Sequence, residues 1–146
     1  IKKNSIMISK RVHGTSIALE DNGVLIVGRS GSGKSDLALR LIDSGGTLIS
    51  DDQTLCLKRK NEIFLFSIKE IYGLLEVRGM GIIKVPYIEN VKMKIIVSLV
   101  KTKSKQSNFK NKKKLFGLNF PYLEIDPNEI SAVAKIKLKL NEEFSG

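Results

Sequence analysis

Residues 28–35 of this chain read Gly28-Arg29-Ser30-Gly31-Ser32-Gly33-Lys34-Ser35. They match the phosphate-loop pattern G-x-x-x-x-G-K-[ST]. The apolar run at 24–27 is typical of a buried strand, and residues 36–43 have the spacing of a helix. Gly45 and Gly46 follow, and each can adopt the left-handed conformation that ends a helix. A strand, a glycine-rich loop and a helix therefore stand in the order that phosphate binding requires.

Such a loop binds phosphate through its backbone and through two side chains. Successive N–H groups of a glycine-rich turn can point inward at an anion, and the helix N-terminus adds partial positive charge at the same place. Lys34 would reach the β- and γ-phosphates, and Ser35 would offer its hydroxyl to Mg²⁺. The sequence therefore predicts binding of a nucleoside triphosphate by residues 28–35.

Length and composition indicate one globular domain. The 146 residues can form one core, and 42% hydrophobic with 27% charged residues is ordinary for a soluble protein. No apolar run approaches the roughly 20 residues that span a bilayer, and no secretory leader is visible. The single cysteine, Cys56, excludes an intrachain disulfide and is expected in the core. We therefore expect a single domain over residues 1–146, a cytoplasmic location and no membrane partner.

The net charge of +10 comes mostly from lysine, much of it near residues 101–114. This stretch has few core residues, so we expect a long exposed loop there. Nucleic-acid sites usually combine basic residues with stacking aromatics or arginine forks, and aromatics are few here. A solvated lysine-rich surface is therefore favoured over a nucleic-acid site. A surface that steers an acidic protein partner is a third interpretation.

The rest of the chain is rich in strand patterns. Strands are expected at 5–9, 15–20, 47–50 and 94–100, and a hairpin at 55–57 and 63–66. Asp126-Pro127-Asn128-Glu129 has the pattern of a helix start, which predicts a second helix from about Asn128 into the 140s. The predicted fold class is α/β, with a strand-rich core and few helices.

Two adjacent acids, Asp51 and Asp52, follow the strand that comes after the predicted helix. Ligands of open α/β folds gather at the carboxyl ends of strands. One carboxylate could bind Mg²⁺, and the other could accept the proton of an attacking hydroxyl. The structural alternative is an Asx-turn or a helix N-cap. With a phosphate loop in the same chain, the functional interpretation is favoured.

Two further features are ambiguous by themselves. The one histidine, His13, is by default a surface or capped polar residue. Two glycines beside an Arg–Glu pair indicate either a bend where the backbone approaches a ligand or a simple bulge. This second feature is the segment Glu76-Val77-Arg78-Gly79-Met80-Gly81.

Together these segments resemble the catalytic domain of HPr kinase/phosphorylase, the bacterial enzyme that phosphorylates a seryl hydroxyl of the phosphocarrier protein HPr. The resemblance covers about 13–85, and its most specific part is the segment 76–83. It implies a P-loop domain similar in fold to phosphoenolpyruvate carboxykinase. The matching segments, in order, are His13-Gly14, residues 28–35, Ser50-Asp51-Asp52 and Leu75-Glu76-Val77-Arg78-Gly79-Met80-Gly81-Ile82-Ile83.

The resemblance implies roles for the acids and the histidine. Asp52 would accept the proton of the substrate serine, and Asp51 would support the metal site or hold Asp52. His13 matches the active-site histidine of the family.

It also implies the cofactors and the partners. Lys34 matches the phosphate-binding lysine, and Ser35 and Glu76 match the Mg²⁺ ligands of an ATP-dependent enzyme. An HPr-like phosphocarrier would be the substrate, and a homo-oligomer, a hexamer in the family, is expected. The most specific segment also contributes Arg78, Gly79 and Gly81.

The chain also departs from the family pattern. Nothing before His13 could hold the family's N-terminal domain, so a short form with the catalytic domain alone is expected. No arginine follows Arg78, and residues 131–136 do not resemble the family's proline- and arginine-containing loop tied to the phosphorylase reaction. We therefore expect kinase rather than phosphorylase activity. A P-loop kinase of a small-metabolite hydroxyl and a non-catalytic nucleotide sensor are the alternative functions.

Overall fold

The structure of the protein is a computed structural model that describes residues 8–101 and 112–144. This part of the chain contains two α-helices, α1 (Lys34–Asp43) and α2 (Ala132–Phe144). A short 3-10 helix covers Lys69–Ile71. The strands are β1 (Ile8–His13), β2 (Thr15–Leu19), β3 (Asn22–Val27), β4 (Thr47–Ser50), β5 (Gln53–Arg59), β6 (Glu62–Phe66), β7 (Leu74–Val77), β8 (Gly81–Lys84), β9 (Val91–Leu99), β10 (Lys112–Leu115) and β11 (Leu118–Ile125).

Nine of these strands form one sheet, and β7 and β8 form a separate hairpin. The sheet order is β1-β5-β6-β9-β3-β2-β4, with β11 also paired to β9 and β10 to β11. Strand β2 is antiparallel to both of its neighbours, β3 and β4. Strands β3 and β4 therefore run in the same direction. Their carboxyl ends lie at one edge of the sheet, together with the start of β2, and this edge carries the phosphate loop.

Alternate residues of the central strands belong to two different cores. Val24 and Ile26 of β3 lie in a core that contains residues of α1 and α2, whereas Leu25 lies in the other core. Since successive side chains of a strand point to opposite faces, the two cores cover the two faces of the sheet. Leu37 and Leu41 of α1 are fully buried in the first core. This packing holds α1, and with it the loop that precedes α1, against the sheet.

The predicted end of the first helix is confirmed. The N–H of Gly45 donates to the carbonyl of Ile42 at 3.0 Å, and that of Gly46 donates to Leu41 at 2.9 Å. Gly45 has a φ of 111°, the left-handed region that favours glycine. Helix α1 begins at Lys34, two residues earlier than predicted, because the last residues of the phosphate loop already form its first turn.

Most strand predictions are confirmed. Strands β2, β4 and β9 occupy the stretches predicted at 15–20, 47–50 and 94–100, and β5 and β6 form the predicted hairpin. The strand predicted at 5–9 extends further at its C-terminal end, because β1 continues to His13 by pairing with β5. Residues 5–7 of that prediction lie outside the described residues.

The predicted start of the second helix is wrong. Helix α2 begins at Ala132, and the residues before it form turns. The N–H of Asp126 donates to Oε1 of Glu129, and the N–H of Asn128 donates to Oδ1 of Asp126, each at 2.9 Å. The capping side chains thus close a local turn instead of starting a helix. Glu129 also forms an ion pair with Lys135 inside α2.

The prediction of a lysine-rich loop at about 101–114 is wrong at its C-terminal end. Residues 112–114 belong to β10, which pairs antiparallel with β11. Their side chains are exposed, so the backbone can pair while the lysines remain in water, as is common in strands at the rim of a sheet. Nζ of Lys113 lies 5.0 Å from the centre of the Tyr122 ring. Residues 102–111 lie outside the described residues.

The glycine-containing segment after β7 is a hairpin turn. The N–H of Met80 donates to the carbonyl of Val77 at 2.9 Å, and β8 starts at Gly81. Gly79 and Gly81 have φ values of 86° and 97°, which explains why glycines occupy this turn. Neither helix of the described residues is long and apolar enough to cross a membrane.

The thiol of Cys56 offers a test of the core. Cys56 is fully buried, and burial raises the pKa of its thiol to about 12. Since the thiolate is the reactive form, we expect the folded chain to resist alkylation by iodoacetamide at about pH 8. The chain unfolded in guanidinium chloride should react readily, because its thiol is hydrated. Mass spectrometry would measure both, and rapid alkylation of the folded chain would contradict the burial of Cys56.

Candidate active site

The phosphate loop joins β3 to α1 through two glycines in the left-handed region. Gly31 has a φ of 79°, and Gly33, the N-cap of α1, has a φ of 105°. Among the described residues no side chain caps this end of the helix, so N–H groups of its first turn remain available to an anion. Oγ of Ser32 is buried and has no hydrogen-bond partner in the described part of the chain. The loop therefore presents donors that suit a phosphate group.

Lys34 lies across the loop. The residue is 6% exposed, and Nζ donates to the carbonyls of Gly28 at 3.0 Å and Arg29 at 3.1 Å. An ammonium group has three N–H donors, and these two bonds use two of them. The buried cation is thus held at the loop with one donor left for a ligand.

Asp51 is a buried carboxylate that three elements contact. Its Oδ1 accepts hydrogen bonds from Oγ1 of Thr15 at 3.0 Å and from Oγ of Ser35 at 2.7 Å. Its Oδ2 accepts a bond from the N–H of Glu76 at 3.0 Å. The donors belong to β2, α1 and β7, so Asp51 connects the phosphate-loop helix to the sheet and to the β7–β8 hairpin. Charge-assisted bonds of this kind are what permit a carboxylate to be buried.

Asp52 faces solvent and pairs with His13. Oδ1 of Asp52 lies 3.0 Å from Nε2 of His13, and the two side chains are 64% and 48% exposed. Asp52 has a φ of 67°, a conformation that is uncommon for a residue other than glycine. Its N–H donates to Oγ1 of Thr15 at 3.0 Å. The two neighbouring acids therefore have opposite environments, one buried and one open.

A cavity of about 470 Å³ brings most of the predicted site residues together. Asp51 and His13 do not line this cavity, but each is hydrogen-bonded to a residue that does, Asp51 to Ser35 and His13 to Asp52. Gly79 and Gly81 do not line it. Besides residues of the glycine-rich part of the loop, the predicted site residues that line the cavity are Lys34, Ser35, Asp52, Glu76 and Arg78.

A second cavity, of about 910 Å³, shares residues 30, 31 and 33, Asp36 and Arg78 with the first. Its other walls include Leu99 and Pro127. The phosphate loop therefore lies between a smaller cavity lined by Asp52 and Glu76 and a larger cavity whose walls include the apolar Leu99 and Pro127 among polar residues.

Sequence reasoning missed Thr15. This residue is fully buried and contacts both acids, yet it has the pattern of an ordinary strand residue. The only signal in the sequence is its position directly after His13-Gly14.

One family model covers most of the chain. The model of the family described as HPr Serine kinase C-terminal domain matches residues 4–136. The chain belongs to this family. The resemblance predicted from the four segments of sequence is thereby confirmed.

Several HPr kinase/phosphorylases are similar in sequence to this HPr kinase domain. That of Malacoplasma penetrans is 32% identical over 151 residues, which cover 89% of this chain and 50% of the relative. That of Mycoplasmopsis pulmonis is 37% identical over 106 residues, or 68% of this chain and 34% of the relative. That of Clostridium acetobutylicum is 43% identical over 76 residues, or 52% and 25%. The chain spans half or less of the length of these curated relatives.

A solved structure confirms the predicted fold class. The Hpr(Ser) kinase/phosphatase from Coxiella burnetii superposes with a TM-score of 0.78 over 92% of this chain and 95% of that chain. The two sequences are 23% identical, so this likeness concerns the fold. The strand-rich α/β domain with few helices is the fold of an HPr kinase domain.

Two glycines at opposite ends of α1 permit a matched test of the loop. Gly33 and Gly45 have similar φ values, 105° and 111°, so alanine should cost each of them roughly 1–2 kcal/mol of stability. A Cβ at Gly33 would lie 3.1 Å from Cβ of Pro127, whereas a Cβ at Gly45 would meet nothing within 4 Å. We expect Gly33→Ala to weaken nucleotide binding about tenfold or more, which corresponds to about 1.4 kcal/mol.

Gly45→Ala should lower the melting temperature through backbone strain alone and leave the Kd unchanged. Isothermal titration calorimetry with a nucleoside triphosphate measures the Kd, and thermal unfolding measures stability. Equal Kd values for the two variants would argue against a role of Gly33 in binding.

Proposed function

We propose that this chain is the ATP- and Mg²⁺-dependent catalytic domain of a serine kinase that phosphorylates HPr or an HPr-like phosphocarrier protein. The observation that carries this proposal is the convergence of Lys34, Ser35, Asp52 and Glu76 on one cavity beside a phosphate loop. The family match and the relatives named HPr kinase/phosphorylase support the choice of substrate.

The phosphate loop binds the β- and γ-phosphates in this proposal. The N–H groups of the first turn of α1 and the third N–H of Lys34 donate to phosphate oxygens. The larger cavity receives the nucleoside, since its walls include Leu99 and Pro127, which suit an apolar ring face. The transferred phosphoryl group then points into the smaller cavity, where the acceptor hydroxyl enters.

The residues of the smaller cavity fit a magnesium ion. Ser35 donates its one hydroxyl proton to Asp51, so the lone pairs of its Oγ remain for a cation. Glu76 adds a carboxylate, and oxygen ligands are those that Mg²⁺ prefers. Among the described residues no three His, Cys, Asp or Glu side chains group closely enough to hold a metal by themselves. Ser35 and Glu76 would therefore hold the ion together with phosphate oxygens, and Asp51 would orient Ser35.

Bound Mg²⁺ would supply positive charge that offsets the charge on the phosphates. The proton is handled by the protein. Asp52 accepts the hydroxyl proton of the substrate serine. The serine Oγ forms a bond to the γ-phosphorus, and the bond between the γ-phosphorus and the oxygen that stays with ADP breaks. His13 lies 3.0 Å from Oδ1 of Asp52 and orients this carboxylate. The exposure of Asp52 gives a protein substrate access to it.

Transfer of labelled phosphate from ATP to an HPr-type carrier tests the proposal. Asp52→Asn keeps the shape of the side chain and removes the base, so we expect kcat to fall on the order of 100- to 10,000-fold. ATP binding should remain, because Asp52 does not belong to the phosphate loop. Asp21→Asn, in the exposed turn between β2 and β3, is the matched control and should transfer at the rate of the unmodified protein.

Each failure of this experiment has a distinct meaning. ATP turnover without any protein acceptor, still abolished by Asp52→Asn, would favour a kinase of a small-metabolite hydroxyl. ATP binding without turnover, unaffected by Asp52→Asn, would favour a nucleotide sensor.

The same preparation tests the reverse chemistry. No arginine occurs between Arg78 and Gly146, and residues 132–136 form the start of α2 rather than a loop. We therefore expect transfer of the phosphoryl group from the phosphoserine carrier to inorganic phosphate, which forms pyrophosphate and restores the serine hydroxyl, to be much slower than kinase turnover. Scintillation counting of released label measures it, with the forward reaction as the control for active protein. Efficient phosphate-dependent release would overturn this part of the proposal.

A further inference from the structure

We propose that Thr15 is a positioning residue that sets the geometry of both active-site aspartates through a single hydroxyl group. The inference rests on the proposed kinase function, in which Asp52 is the base and Asp51 orients Ser35. Thr15 is the first residue of β2, is fully buried and pairs with Ile26 of β3. It therefore belongs to the rigid part of the sheet directly beneath the site.

The hydroxyl of Thr15 uses both of its hydrogen-bonding capacities on the aspartates. It donates its one proton to Oδ1 of Asp51 at 3.0 Å. It accepts the backbone N–H of Asp52, also at 3.0 Å. A hydroxyl has one donor and two acceptor lone pairs, so both bonds can exist together. No hydrocarbon side chain of the same shape could replace either bond.

The bond to Asp52 holds a strained backbone. Asp52 has a φ of 67°, which is costly for a residue with a side chain unless the surroundings hold it. Its N–H is held by Thr15, and its carbonyl accepts the N–H of Gly14 at 2.9 Å. Gly14 and Thr15, the first residue of β2, thus hold the N–H and the carbonyl of Asp52. These two hydrogen bonds direct the Asp52 side chain outward to His13 and into the cavity.

The bond to Asp51 extends the same control to the phosphate loop. Oδ1 of Asp51 accepts from Thr15 and from Ser35, so one oxygen atom connects the sheet to the first turn of α1. Thr15 is therefore the shared contact between the base and the residue that orients the metal ligand. If the hydroxyl is removed, Asp51 loses one of its three donors and Asp52 loses its backbone acceptor.

A merely structural role would make Thr15 equivalent to other buried threonines of the sheet. Thr54 is the matched case, because it is also fully buried and bonds in the same region. Its Oγ1 donates to the carbonyl of Gly14 at 3.0 Å and lies 2.8 Å from Oγ of Ser16. None of the hydrogen bonds of its side chain reaches an aspartate. Valine at either position removes a buried hydroxyl, but only valine at 15 removes a direct hydrogen bond to an aspartate.

The decisive experiment compares Thr15→Val, Thr15→Ser and Thr54→Val in phosphate transfer from ATP to an HPr-type carrier. For Thr15→Val we expect kcat to fall on the order of 10- to 100-fold, the effect of a displaced reacting group. The KM for ATP should stay within about twofold, since Ser35 of the phosphate loop keeps its own hydrogen bond to Asp51. Thr15→Ser retains the hydroxyl and should restore most of kcat. Thr54→Val should lower the melting temperature as much as Thr15→Val while keeping the original kcat.

Amide hydrogen exchange supplies a readout that does not need activity. The N–H of Asp52 should exchange faster in Thr15→Val, and at the original rate in Thr15→Ser and Thr54→Val. If the unmodified protein phosphorylates no acceptor, the proposed function fails, yet the exchange rates still report on the Thr15 contact. Equal kcat values for the two valine variants, or an unchanged exchange rate at Asp52 in Thr15→Val, would overturn the positioning role.

Discussion

The buried carboxylate of Asp51 is the constraint on which the site depends. It accepts hydrogen bonds from Thr15 in β2, from Ser35 in α1 and from the N–H of Glu76 in β7. A charged group is stable in the interior only when such donors surround it, so three segments distant in sequence must meet at this point. The first turn of α1, the start of β2 and the β7–β8 hairpin consequently have fixed positions relative to one another.

Asp51 and Asp52 are residues of the same type in different environments. Asp51 is 7% exposed and points back into the fold, whereas the Asp52 side chain is 64% exposed and pairs with His13. The left-handed backbone of Asp52 produces this reversal over a single residue. In the proposed reaction, one acid therefore organises the phosphate side of the site, and the other is free to take a proton from a protein substrate. Neighbouring carboxylates with different tasks commonly differ in this way.

Much of the fold could be predicted from short-range sequence patterns. The phosphate loop, the glycines that end α1 and the β5–β6 hairpin follow from local backbone preferences, and the structure confirms them. Local patterns gave wrong predictions where the same residues suit two different conformations. Asp126 and Glu129 can cap a helix or close a turn, and their side chains close a turn. Residues 112–114 have the composition of a loop, yet pairing with β11 makes them a strand, because backbone pairing does not depend on apolar side chains.

The sequence by itself determined a phosphate loop between a strand and a helix, two acids after the next strand and membership of a recognisable family. Each of these is encoded within a few consecutive residues, where chain connectivity limits the possible geometry. Only the tertiary structure decided that His13 meets Asp52 across 39 positions of sequence, and that Thr15 bonds to both acids. The first contact follows from the antiparallel pairing of β1 with β5, which places His13 opposite Gln53. The second follows from the pairing of β2 with β4, which places Ser16 opposite Ser50. A hydroxyl in a strand carries no local sign of the partner that the sheet will bring to it.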